Sequence, residues 1–238
     1  MYTAKALTTA GLPCTHETIF TGRSTDTAVL GPGRAESSWF AVPFMERLAA
    51  DTLVVHQVRH PLECIRSYVD RGFFTSPSYE RPFWRHVVKR AVGAPPSGQH
   101  RIVKMVQSVE PEVFALSSAA ERGALFWIRW NRRVEENCRR LGLDYRRVRV
   151  ERLDSAAVVD LVNSANVTVA DGATSRVRDV PRHTNGQPKW SSIAWPDLGR
   201  LGPAVRALAE AYGYGPRHTA RHLPCLPVWG RLTPRTQP

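Results

Sequence analysis

Arg59 and Ser67 stand eight positions apart in a run whose character changes between them. From Leu53 to Val58 the chain is short, mostly apolar and β-branched, the pattern of a buried strand. His60-Pro61 breaks that pattern, and proline is favoured at the first position of a helix. Arg59 therefore belongs at the carboxyl end of a strand, where ligands bind in open α/β sheets. Ser67, about two turns into the following helix, can face the same crevice. A guanidinium and a hydroxyl converging there suit a phosphate monoester: a planar fork for two oxygens and a neutral donor for a third. The plainer alternative is that Arg59 pairs with a carboxylate and Ser67 is a solvated helix residue. The strand–turn–helix setting favours phosphate.

The elements that must hold these residues are set by pattern and punctuation. Tyr2 to Ala10 reads as a helix stopped by Gly11 and Pro13, and Cys14 to Phe20 as extended chain. Thr21 to Arg34 reads as a Gly- and Thr-rich loop, and Ser37 to Ala50 as mostly helical with Ser37 or Ser38 as its cap. A strand over 53–58 and a helix over 61–71 come next. Gly72 to about Gln99 carries aromatics, prolines and a short helix opened by Pro82, and is the expected substrate-facing insertion. Arg122 to Leu141 is the longest helix, with Leu125, Ile128, Val134 and Cys138 near one face and Gly142 as its stop. Trp127 and Trp130, three apart, belong to the core. Tyr145 to Val150 reads as a strand with one wet face, Ala156 to Asn163 as a helix, Asp171 to Lys189 as a long loop, and Pro203 to Tyr212 as a helix ending at Gly213. The expected fold class is α/β, a parallel sheet flanked by helices. It forms one domain over 1–221, followed by a Pro-rich extension over 222–238.

Four segments in order resemble the sulfotransferases that use 3′-phosphoadenosine 5′-phosphosulfate. Arg59, the x-Pro-Leu after it, and Ser67 are similar to that family's 3′-phosphate site. Glu36-Ser37-Ser38-Trp39 with Pro43 resembles its "E-x-S-W…P" segment. Phe126-Trp127-Ile128-Arg129-Trp130-Asn131 resembles its "W-x-x-x-N" helix, and Val148 to Leu153 its "ryEdL" strand end. The resemblance as a whole covers roughly residues 2 to 214. The resemblance implies a P-loop-NTPase-like sulfotransferase architecture and the phosphosulfate as co-substrate, without a metal. It also implies in-line transfer of a sulfuryl group to a hydroxyl or amine. A base would remove the acceptor proton while cationic donors stabilise the bridging oxygen. By resemblance Glu17 is the first candidate for that base. His16 is the second, because imidazole titrates near neutral pH. Glu151 is expected to brace a loop or an ion pair.

One family feature is missing from the sequence. There is no G-x-x-x-x-G-K-[ST] and no Arg-x-Gly-Thr, so the loop that would wrap the 5′-phosphosulfate with backbone N–H groups is not found. Tyr2 to Ala10, Gly11-Leu12-Pro13 and His16-Glu17 match the family's segment immediately downstream of that loop, and Met1 falls where the loop would end. The expectation is an N-terminally incomplete chain, inactive and poorly stable as given. Two function classes stand: a sulfotransferase, or a non-catalytic remnant that binds adenosine 3′,5′-bisphosphate or an acidic partner. The acceptor is open among glycan, lipid, metabolite and protein.

Composition narrows the partners. The chain has 238 residues and a net charge of +12, carried by 29 Arg and 4 Lys. A basic surface suits anions. The basic residues are interleaved with acids, and no zinc-finger, RNA-recognition or helix-turn-helix signature occurs, which argues against nucleic acid. The four cysteines are isolated and form no metal-spaced cluster, which points to a reduced, cytoplasmic setting. No apolar run approaches the ~18 residues of a membrane span.

Overall fold

The computed structural model describes residues 2–20, 30–74, 98–181 and 192–215. It is a mixed α/β structure of small parallel two-stranded sheets packed against helices. Helix α1 (Tyr2–Thr9) leads into β1 (Cys14–His16), which pairs in parallel with β2 (Ala35–Ser37). A 3₁₀ helix (Val42–Arg47) comes after it, with Pro43 in its first turn. Next come β3 (Leu53–Val58) and α2 (Pro61–Asp70), with the bounds that the β-branched run and the His-Pro break predict. The chain continues through α3 (Gly98–Val109), a 3₁₀ helix (Pro111–Ala115) and α4 (Ala119–Leu141). It closes with β4 (Asp144–Arg149), α5 (Ser155–Ser164), α6 (Ala173–Arg178), a 3₁₀ helix (Trp195–Leu201) and α7 (Gly202–Ala211).

β3 and β4 form a parallel ladder over six residues, from Leu53 opposite Asp144 to Val58 opposite Arg149. Successive β3 side chains point to opposite faces, as the pleat requires. Val55 packs into a core formed by α1, α5 and α6. Val54 and Val58 join two cores on the other side, both built on α4. Helices therefore cover the ladder on both faces, the usual setting for parallel strands. α4 is fixed at both ends. Ser118 and Glu121 form a reciprocal capping box at its start. Gly142 takes the left-handed conformation (φ +65°) that ends it. Gly123 lets α4 approach α2, since a Cβ there would lie 3.1 Å from Ile65 Cγ2.

Several sequence expectations need correction. The expected single sheet is two separate ladders among the described residues. Ser37 lies in β2 and caps no helix, and only Val42–Arg47 is helical in the 37–50 stretch. Ser38 Oγ instead accepts from the Phe40 N–H in a turn (3.1 Å). Within the expected loop from Asp171, residues Ala173–Arg178 form α6, held by Ala173 and Val177 against the core. Gly98 begins α3 where a turn was expected. The Pro82 helix and the 222–238 extension lie outside the described residues.

Candidate functional site

Arg59 comes directly after the last residue of β3, and its side chain is about two-fifths exposed. His60 leads into α2, with Pro61 at the helix start supplying a fixed φ where no N–H is needed. The His60 backbone N–H donates to Glu151 Oε1 at 3.0 Å. Glu151 Oε2 lies 2.6 Å from the Tyr214 hydroxyl, which also reaches the Val58 carbonyl at 3.1 Å. Glu151 thus braces the strand–helix turn from the end of β4, a loop-fixing role matching the sequence expectation. Three elements meet at this turn and hold it: β3, β4 and the segment after α7.

The Arg59 guanidinium pairs with Glu63, one helical turn on (3.6 Å), and Arg66 pairs with the same carboxylate from the other side. The plainer reading of Arg59 is therefore realised in this structure. An exposed i,i+4 pair of this kind is worth only ~0.3–0.5 kcal/mol. A charge-assisted bond to a bound anion contributes about 1.5–3 kcal/mol, enough to displace it. Ser67 sits seven residues into α2, half-buried, and no hydrogen bond joins it to Arg59 among the described residues.

His16 and Glu17 end the other ladder. His16 Nδ1 lies 2.8 Å from the Ser37 carbonyl, which can only accept, so Nδ1 carries the proton and Nε2 is left as an acceptor in the neutral ring. The Glu17 N–H donates to the same carbonyl at 3.3 Å. Glu17 adopts φ +52°, the left-handed region that disfavours a side chain. Glu36 holds this turn in place: Oε1 accepts from the Thr18 and Ile19 N–H groups (2.7 and 3.3 Å), and Oε2 accepts from the Thr15 hydroxyl. The carboxylate of the E-x-S-W segment is thus the brace of the candidate base residues, a link that the sequence does not display.

A cavity of about 1010 Å³ runs between the two ladders. His16 and Arg59 both line it, whereas Glu17 and Ser67 do not. Its thiols are poor nucleophiles near neutral pH. Burial, and after it the Glu36 charge, pushes Cys14 up to about 11, and burial raises Cys64. One wall of the cavity carries a polar chain that sequence reasoning missed. Asn131 Nδ2 donates to the Trp127 carbonyl (2.6 Å), which turns Oδ1 toward His56 Nε2 (2.8 Å). His56 Nδ1 lies 2.8 Å from the Tyr145 hydroxyl. Burial lowers the His56 pKa, so the ring is held neutral, donating through Nε2 and accepting through Nδ1. A histidine inside an apolar strand run was the available signal. The Trp127…Asn131 spacing is the other half, since residues four apart share a helix face.

No helix among the described residues is long and apolar enough to cross a membrane. No family model, no curated protein and no solved structure matches the chain.

Proposed function

We propose that the chain carries the 3′-phosphate half of a nucleotide site of the kind used by sulfotransferases, and that adenosine 3′,5′-bisphosphate is its ligand. The observation that carries this reading is Arg59 at the carboxyl end of β3, beside the N-terminus of α2, accessible and, among the described residues, paired with Glu63. That position combines a guanidinium with the positive end of a helix, both favourable to an anion. Ser67 supplies the further donor. In the finer form of the reading the fold is the P-loop-like sulfotransferase architecture. Phosphoadenosine phosphosulfate is then the co-substrate, and Glu17 or His16 takes the acceptor proton. The fixed tautomer of His16, with Nε2 free to accept, supports a base at this place.

Calorimetry of the 238-residue chain tests the binding claim. The bisphosphate should bind more tightly than adenosine 5′-phosphate. Arg59→Ala should weaken the bisphosphate by roughly one to two orders of magnitude, from about 1.5–3 kcal/mol per charge-assisted contact, and leave the monophosphate unchanged. Equal affinity for the two nucleotides would sink the reading.

A further inference from the structure

We propose that Glu63 is a built-in competitor for the anion at Arg59, and that Arg66 holds the carboxylate aside when the anion arrives. The inference rests on the nucleotide reading and adds a gate to that site.

Two arginines share the carboxylate unequally. Glu63 Oε2 lies 3.6 Å from the Arg59 guanidinium, whereas Oε1 is in close contact with Arg66. Arg59 is thus the looser partner. It is also the wetter one, with its side chain 39% exposed against 23% for Arg66, and exposure weakens an ion pair. When Arg59 turns to a ligand, the Glu63 carboxylate keeps a cation at its other oxygen. Release of the first pair therefore leaves no charge stranded, and the gate can open at small cost.

The placement of these residues makes the competition unavoidable. Glu63 and Ser67 are four apart in α2 and share a helix face. Arg59 stands four residues before Glu63 and reaches the same face through their pair. A phosphate that takes the Arg59 fork and the Ser67 hydroxyl together lies over Glu63, one anion above another. The helix itself need not move. Ile65 is fully buried and meets α4 where Gly123 allows a close approach, so only side chains turn.

The other carboxylate at this turn is committed elsewhere. Glu151 Oε1 accepts from the His60 N–H, and Oε2 lies 2.6 Å from the Tyr214 hydroxyl. Among the described residues, Glu63 is the carboxylate within ion-pair distance of Arg59.

Two effects set the strength of the gate. An exposed pair at this spacing shifts an equilibrium by about twofold. Repulsion between close like charges in a water-rich setting adds up to about threefold per charge, less in salt.

Calorimetry of the 238-residue chain tests the gate, with adenosine 3′,5′-bisphosphate and adenosine 5′-phosphate as probes. Glu63→Gln should tighten the bisphosphate by about three- to tenfold and leave the monophosphate unchanged. Damage to the fold cannot imitate a gain of affinity confined to one of two nucleotides. Arg66→Gln leaves Glu63 leaning on Arg59, and should weaken the bisphosphate by about two- to threefold. Arg66→Lys, which keeps the charge, should restore most of that loss. In the Glu63→Gln background, Arg66→Gln should change the bisphosphate affinity little. If Glu63→Gln binds the bisphosphate no more tightly, while the unaltered chain prefers it and Arg59→Ala loses it, the gate is overturned and the nucleotide reading stands. Equal weakening by Arg66→Gln with and without Glu63 would assign Arg66 to the general surface potential and overturn its part in the gate. Equal affinity of the unaltered chain for the two nucleotides would overturn the nucleotide reading and the gate with it.

Discussion

β3 meets β4 over six residues and is covered by helices on both faces, whereas β1 meets β2 over three and leaves Thr15 and His16 exposed. The first ladder is held by packing, since Val54, Val55 and Val58 each enter an apolar core. The second is held largely by one carboxylate, Glu36, which gathers two backbone N–H groups and a hydroxyl. Arg59 therefore stands on a rigid platform, while His16 and Glu17 stand on a braced turn. A site built from both would have a firm anion-binding end and an adaptable proton-transfer end.

That contrast can be broken most forcefully beneath β3. Trp127→Ala should cost about 3–5 kcal/mol, the usual penalty for deleting a buried large aromatic, because Trp127 is 2% exposed under the strand. Denaturant titration showing a loss below about 1 kcal/mol would remove packing as the basis of the platform. Asn131→Leu comes next. It strands the His56 Nε2–H without its acceptor, and an unsatisfied buried donor costs about 1–3 kcal/mol. His56→Phe in the same background should recover part of that loss, and no recovery would place the damage elsewhere. Glu36→Ala should act locally. Exchange of the Thr18 and Ile19 amides should quicken by about tenfold, the equivalent of ~1.4 kcal/mol, while β3 amides stay unchanged. A uniform change across both ladders would erase the distinction drawn between them.

The smallest effect is the response to acid. Burial holds the folded His56 pKa below its ordinary value of 6.5, so the unfolded chain binds a proton that the folded chain refuses. The stability that His56 contributes is complete above about pH 6.5 and is lost as pH falls through the lower folded value. Protonation would place an N–H against the Tyr145 hydroxyl, which must then turn its own proton toward Glu135 Oε1 at 3.4 Å. Arg147, paired with Glu135, opposes the new charge. His56→Gln should flatten the dependence of the denaturation midpoint between about pH 7.5 and 5.5, a window set by the ordinary histidine pKa of about 6.5. An unchanged slope would exclude His56 as its source.

The same two regions show what the sequence could and could not display. Leu53 to Asp70 was legible because β-branched residues and a His-Pro break are local signals that tertiary contacts reinforce. β2 was not, since Ala35-Glu36-Ser37 lacks strand character and its partner lies about twenty residues earlier. α4 begins three residues before its expected start because the Ser118–Glu121 capping box is masked by neighbouring serine and alanine. α6 escaped notice because only Ala173 and Val177 face the core in an otherwise polar stretch. Arg59 and Ser67 could be named from spacing. The bracing by Glu36 and Glu151 could not, because Glu36 reaches back 17 to 21 positions and Glu151 reaches His60 and Tyr214, 91 and 63 positions away.

Arg122, 2% exposed on α4, donates through Nε to the Phe74 carbonyl (2.8 Å) and through an Nη nitrogen to the Leu116 and Ser117 carbonyls (2.7 and 3.3 Å). These three acceptors come from the two stretches that leave α2 and enter α4. The guanidinium fork serves as a clasp, fastening the exit of one helix to the entrance of another. Lysine could not replace this clasp, because a single ammonium lacks the planar spread needed to reach both stretches. One buried arginine thus sets where the chain leaves α2 against where it enters α4, on the helix that also backs β3.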